Sequence, residues 1–282
     1  MTLEDIFATF VKKHDYLVCI DSDGCAMDTM DIKHIRCFGP CMVDEWQLDA
    51  WRQPILDRWN VINLYSMTRG INRFKALAVA LDEINTQYTP IDGIEELKEW
   101  AAHAKELSNG AIEALLKEKD CPILAKALNW SKAVNASIAK LPEEEKLPFK
   151  GVAEGIAAAH EQADVAIVSS ANLDAVLAEW EKHHLLQHTD IVCSQSAGSK
   201  AHCIAELLKK GYEKDHVLML GDAPGDRDAA QKNGVLYYPI LVRHEFESWT
   251  RLKDEALGKF LDGTYADAYQ DELLDAFVKN LS

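Results

Sequence analysis

Residues 16–24 read Tyr16-Leu17-Val18-Cys19-Ile20-Asp21-Ser22-Asp23-Gly24, an apolar run that ends in two aspartates two positions apart and then a glycine. A short, continuous apolar run bounded by turn residues suits a strand buried on both faces. Side chains at i and i+2 of an extended strand project to one side. Asp21 and Asp23 are therefore expected to leave the strand tip as a matched pair. Two bare carboxylates so placed repel, so the pair needs a cation between them or a proton on one of them. One would then act as nucleophile or metal ligand, the other as general acid and base. Asp, Ser and Gly are also common turn formers, and a strand-ending turn accounts for these residues equally well.

Working outward, apolar residues at helical spacing predict a helix over Leu3–Lys13, with Thr2 as its N-cap. From about Asp28 to Leu147 only helical patterns occur, over Glu45–Trp59, Ile71–Ile84, Ile94–Leu107, Ala111–Lys119 and Ile123–Ala139, with breaks at Pro54, Pro90, Pro122 and Pro142. The stretch Leu141–Pro148, with a proline near either end, reads as a linker. After it, helices and apolar runs alternate. The expected strands are Val165–Val168, Asp190–Cys193, His216–Leu220 and Val235–Ile240, and two helical stretches follow, over Glu245–Leu261 and Ala266–Leu281. The first strand belongs with these later ones. The expected fold is α/β: a Rossmann-like parallel-sheet core in three α/β/α layers, with an all-helical domain inserted after the first strand. The expected bounds are 1–28 and 149–282 for the core and 29–148 for the insertion.

Ligands of open parallel sheets sit beyond the carboxyl ends of the strands, so the residues there carry the argument. The second apolar run ends in Ser169-Ser170-Ala171-Asn172, where a hydroxyl before a helix start suits a phosphate oxygen or serves as a cap. The third tip, Ser194 to Lys200, is a loop of small residues with one lysine at a helix start, a position the helix dipole disfavours. The fourth reads Gly221-Asp222-Ala223-Pro224-Gly225-Asp226, two aspartates four apart in a Gly/Pro-rich turn. Asp226 also suits a helix N-terminus, whereas Asp222 lies inside the turn.

In order and spacing these four tips resemble the motifs of the haloacid dehalogenase superfamily. Asp21 to Gly24 resembles its DxDG motif, Ser169 its Ser/Thr motif, Lys200 its lysine and Gly221, Asp222 and Asp226 its GDxxxD motif. Asp28-Thr29 extends the likeness to the β-phosphoglucomutase and phosphonatase-like branch, whose helical cap is inserted at this place. The resemblance implies a Mg²⁺-dependent phosphatase acting on a small phosphorylated metabolite through an aspartyl-phosphate. It implies that Asp21 is the nucleophile and Asp23 the acid and base, and that Ser169 and Lys200 hold phosphate. It implies metal ligation by the Asp21 carboxylate, the Asp23 backbone carbonyl and Asp222, with Asp226 supporting. An acid at position 23 points away from dehalogenases and ATPase pumps. Phosphomutase, phosphonatase and a catalytically silent ligand-binding protein remain as alternatives.

The net charge of −16 argues against nucleic acid and anionic membranes, which require a basic footprint. No apolar run is long enough to span a bilayer. Seven cysteines without a CxxC pair, and no signal peptide, read as reduced thiols of a cytosolic protein. His34, Cys37 and Cys41 lack the second ligand pair of a zinc site. Within the insertion, Arg69 and Arg73 flank a polar, glycine-containing loop and are the expected residues of substrate selection, since arginine forks suit phosphate or carboxylate. Trp46, Trp51 and Trp59 fall near helical spacing and are expected to form the core of the insertion.

Overall fold

The computed structural model describes residues 3–282; the expected cap Thr2 lies outside them. Five parallel strands form one sheet in the order β3-β2-β1-β4-β5: β1 Leu17–Ile20, β2 Asp164–Val168, β3 Ile191–Cys193, β4 Val217–Gly221 and β5 Leu236–Pro239. β1 is central. All four of its residues are fully buried, as a parallel strand covered by helices on both faces requires. Its register sets Ile20 against Ile167 on one side and Leu220 on the other, so three strand tips end level. The core is an α/β Rossmann-like sheet with an all-helical insertion after β1.

The chain divides into two compact units. One comprises the chain up to Met30 and Glu144–Ser282, the other Asp31–Glu143. The second is wholly helical. Its core gathers Phe38, Trp59, Phe74 and Trp130, with ring centroids 6.0 Å apart for Trp59–Trp130 and 6.1 Å for Phe74–Trp130. The Trp130 indole N–H donates to the Phe38 carbonyl at 3.1 Å, which removes the cost of burying it. Each fully buried tryptophan contributes roughly 4–6 kcal/mol before the entropy of ordering is subtracted. Trp46 and Trp59 are buried and Trp51 is partly so, as core residues of this unit.

Several helices differ from the sequence reading. The first ends at Thr9 rather than Lys13. The single helix expected over Glu45–Trp59 is two, Gly39–Trp46 and Arg52–Leu64. Between them Gln47 takes a left-handed conformation at φ 56°. Pro54 does not break the second helix, because it lies in the first turn, where its missing N–H has no intrahelical partner to lose. The stretch Glu245–Leu261 is one continuous helical path with a wider π turn over Leu252–Ala256. Among the described residues no helix is long and apolar enough to cross a membrane, and all seven cysteines are free thiols.

Candidate active site

The strand tips bring four of the candidate side chains into one cluster. Asp21, Asp222 and Asp226 each offer a carboxylate oxygen, and the three oxygens lie within 4.8 Å of one another. All three residues are buried. The Lys200 ammonium stands among them, 2.8 Å from Asp21 Oδ2 and 2.5 Å from Asp226 Oδ1. These contacts explain how a lysine is tolerated as the first residue of the helix Lys200–Leu208, where the dipole opposes it.

Local sequence builds each position. Asp21 continues β1 by one hydrogen bond, from its N–H to the Leu220 carbonyl at 3.0 Å. The chain then turns: the Ser22 carbonyl accepts the N–H groups of Cys25, Ala26 and Met27. Asp23 therefore lies in a turn, and the expected pairing of Asp21 with Asp23 along an extended strand is corrected, since the strand ends at Ile20. Asp23 is half-buried, accepts a hydrogen bond from Thr29 Oγ1 at 2.6 Å, and its carboxylate is not one of the three clustered ones.

At the fourth tip, Pro224 begins the helix Pro224–Asn233 and Asp226 folds back, its Oδ2 accepting the Ala223 N–H at 3.1 Å. Gly221 is required by space. A Cβ there would stand 2.3 Å from both Cβ and Cγ of Asp226. Gly221→Ala is expected to displace Asp226 and to destabilise the fold by about 1–3 kcal/mol, read as a lower Tm in thermal unfolding. The Gly221 carbonyl accepts the Tyr237 hydroxyl at 2.8 Å.

Ser169 is buried at the tip of β2, its Oγ accepting the Ala171 N–H at 3.1 Å. It does not cap the following helix Leu173–Lys182; Asn172 does, accepting the Asp174 N–H at 2.9 Å. Arg69 and Arg73 are engaged inside the helical unit. Arg69 is buried and donates to the Leu64 carbonyl at 2.8 Å. Arg73 donates to Ser131 Oγ at 3.0 Å and Asn135 Oδ1 at 2.7 Å, and its guanidinium lies over the Phe38 ring. The Arg73 bonds tie the start of its helix to the helix Pro122–Ile138.

The electrostatics of the cluster oppose its own ionisation. Burial pushes the Asp21 carboxyl up to about 7 against the pull of Lys200, and Asp226 is raised by burial and by the charge of Asp222. Burial would strip Lys200 of its proton, but the attraction and hydrogen bonds of Asp21 and Asp226 outweigh it, so its pKa is raised. Three carboxylates and one ammonium leave excess negative charge in a buried place. Hard oxygen donors of this kind suit Mg²⁺, which relieves that excess. The donor set fits.

Two contacts of the site were not read from the sequence. The pairing of Thr29 with Asp23 spans six residues across a turn. The hydroxyl of Tyr237 reaches Gly221 from a neighbouring strand, and a tyrosine in an apolar run carries no mark of that role.

The profile of the haloacid dehalogenase-like hydrolase family matches residues 71–238, well over half of the chain. That span includes Ser169, Lys200, Asp222 and Asp226 and begins after Asp21 and Asp23. No curated protein matches the sequence. Among solved structures, one named "putative phosphoglycolate phosphatase" from Lactobacillus delbrueckii subsp. bulgaricus is similar, with a TM-score of 0.52 at 12% identity over 80% of this chain and 85% of that one. A haloacid dehalogenase-like family hydrolase from Streptococcus pneumoniae aligns with a TM-score of 0.48 at 9% identity over 83% and 90% of the two chains. At such identities the first likeness speaks for the fold alone.

Proposed function

The chain belongs to the haloacid dehalogenase-like hydrolase family, and from that premise we propose that it is a Mg²⁺-dependent phosphatase of a small phosphorylated metabolite, working through a phosphoryl group on Asp21. The observation that carries this reading is the buried cluster of Asp21, Asp222, Asp226 and Lys200 at adjoining strand tips. When bound by Asp21, Asp222 and Asp226, with the Asp23 main-chain carbonyl, Mg²⁺ supplies the positive charge that lets a carboxylate approach a phosphate dianion.

An Asp21 carboxylate oxygen attacks phosphorus as the substrate's ester P–O bond breaks, and Asp23 gives its proton to the leaving oxygen. Asp23, now a carboxylate, takes a proton from water, whose oxygen attacks phosphorus and releases phosphate from Asp21. Thr29 orients Asp23 by its hydrogen bond to Oδ1. Lys200 and Ser169 hold the transferring phosphoryl oxygens, and Lys200 offsets their charge. Chemistry is assigned to residues 1–28 and 149–282, and substrate choice to the helical insertion, residues 29–148. The free thiols and the net charge of −16 support a reducing cytosol and partners other than nucleic acid or membrane.

The test is phosphate release from p-nitrophenyl phosphate and a panel of phosphorylated metabolites, with and without Mg²⁺. Metal-dependent release is expected. An isomerised product without free phosphate would make the chain a mutase. Ligand-induced stabilisation without any turnover would make it a binding protein. Asp23→Asn is expected to lower steady-state turnover about 10²–10⁴-fold and to accumulate phosphorylated Asp21, measured by intact mass after acid quench.

A further inference from the structure

We infer that Trp180 is a positioning residue for phosphoryl transfer: its indole N–H holds the turn that carries Asp21 and Asp23 in the conformation the reaction needs. The inference rests on the assignment of Asp21 as the nucleophile.

Ser22 sits between the two acids and is fully buried. Its carbonyl accepts from Cys25, Ala26 and Met27 at 3.3, 3.0 and 2.8 Å. The main chain of this one residue thus fixes the turn that bears Asp23 and begins directly after Asp21. What holds Ser22 in turn is its hydroxyl, which accepts the Trp180 indole N–H at 2.9 Å. Trp180 is fully buried on the helix Leu173–Lys182, which begins directly after the Ser169–Asn172 tip. One rigid element is therefore fastened to both the nucleophile turn and the phosphate-binding tip.

A second indole meets the same turn. Trp249 Nε1 donates to the Cys25 carbonyl at 3.0 Å. Its ring is seated against Gly155, where a Cβ would stand 2.6 Å from Trp249 Cε3. Core volume alone would be met by any large apolar side chain. Two indole N–H groups aimed at one short turn do something volume does not: they fix its polar backbone and hydroxyl at set points. The turn needs this hold, because strand pairing stops at Asp21 and Asp21 stands against two further acids, Asp222 and Asp226. Misplacing a nucleophile by about 1 Å can cost about 10²-fold in rate.

The experiment compares Trp180→Phe, Ser22→Ala and the double variant with Val176→Ala, which perturbs the same helix and core cluster without touching Ser22. Each single variant is expected to lower kcat for p-nitrophenyl phosphate by about ten- to a hundredfold, with KM held within about twofold. The double variant should lose no more than either single one, since both remove one bond. Amide hydrogen exchange at Cys25, Ala26 and Met27 should accelerate about tenfold in both. Val176→Ala should lower Tm and leave kcat and these amides as they were. Ser22→Ala carries the same test if Trp180→Phe fails to fold. Unchanged kcat, losses that multiply in the double variant, or an equal loss in Val176→Ala would overturn the inference. Were the native chain to show no turnover, the proposed function would fall, and exchange at Cys25–Met27 would decide separately: unaltered protection in Ser22→Ala would refute the hold.

Discussion

Replacing Asp21 by Asn is expected to abolish phosphatase turnover, by about 10⁴-fold or more, while the metal-free chain becomes more stable above pH 7. The two halves of this result have one cause. An amide keeps the shape of the side chain but cannot form the acyl phosphate, so the chemical step has no nucleophile. The native carboxylate, by contrast, is held where its charge is unwelcome: burial raises its pKa from 3.8 to about 7 despite Lys200. In the unfolded chain Asp21 loses its proton near the lower value, and in the folded chain near the upper one. Between them the folded state keeps a proton that the unfolded state has lost, so stability falls as pH rises through this window and stays lowered above it. The neutral amide avoids that penalty, on the order of 1–4 kcal/mol at pH 8. Thermal unfolding of both forms in chelator at pH 5 and pH 8 measures it: the Tm gap should be small at the first and wide at the second. A gap that closes with rising pH would contradict the electrostatic account.

Asp222→Asn is expected to lower turnover at fixed Mg²⁺ by about 10²–10³-fold, and chelation to abolish it in the native chain until Mg²⁺ is restored. Asp222 is buried, shares the oxygen cluster and adds to the charge that raises Asp226. A cation bound there competes with protons on Asp21 and Asp226, both of which hold them more tightly than an exposed carboxyl would. Mg²⁺ should therefore raise the native Tm little at pH 5 and clearly at pH 8. Asp222→Asn should flatten that response. A Tm rise of equal size at both pH values would show that Mg²⁺ binds elsewhere.

The sheet and the placing of the candidate site were legible for a shared reason. A strand buried on both faces, such as Leu17–Ile20, must be a continuous apolar run, and the residues after it mark where the chain meets a ligand. Thus Asp21, Ser169, Lys200 and Asp222 could be read at strand tips. The helical unit was harder. Apolar spacing runs on through Gln47, whose left-handed conformation carries no glycine to announce it. The loop around Gly70 is polar, yet Arg69 is buried and donates to the Leu64 carbonyl, a partner that no spacing in the sequence marks. The hold on Ser22 comes from Trp180, far along the chain, and a tryptophan at helical spacing reads as core whether or not its N–H has a task.

The most direct measurement is the mass of the peptide containing Asp21, taken through a single turnover with excess enzyme and quenched in acid. The expected result is one phosphoryl group on Asp21 that rises before free phosphate and decays as phosphate appears. Stoichiometric phosphate release with Asp21 never phosphorylated, or with the group on another residue, would contradict the account.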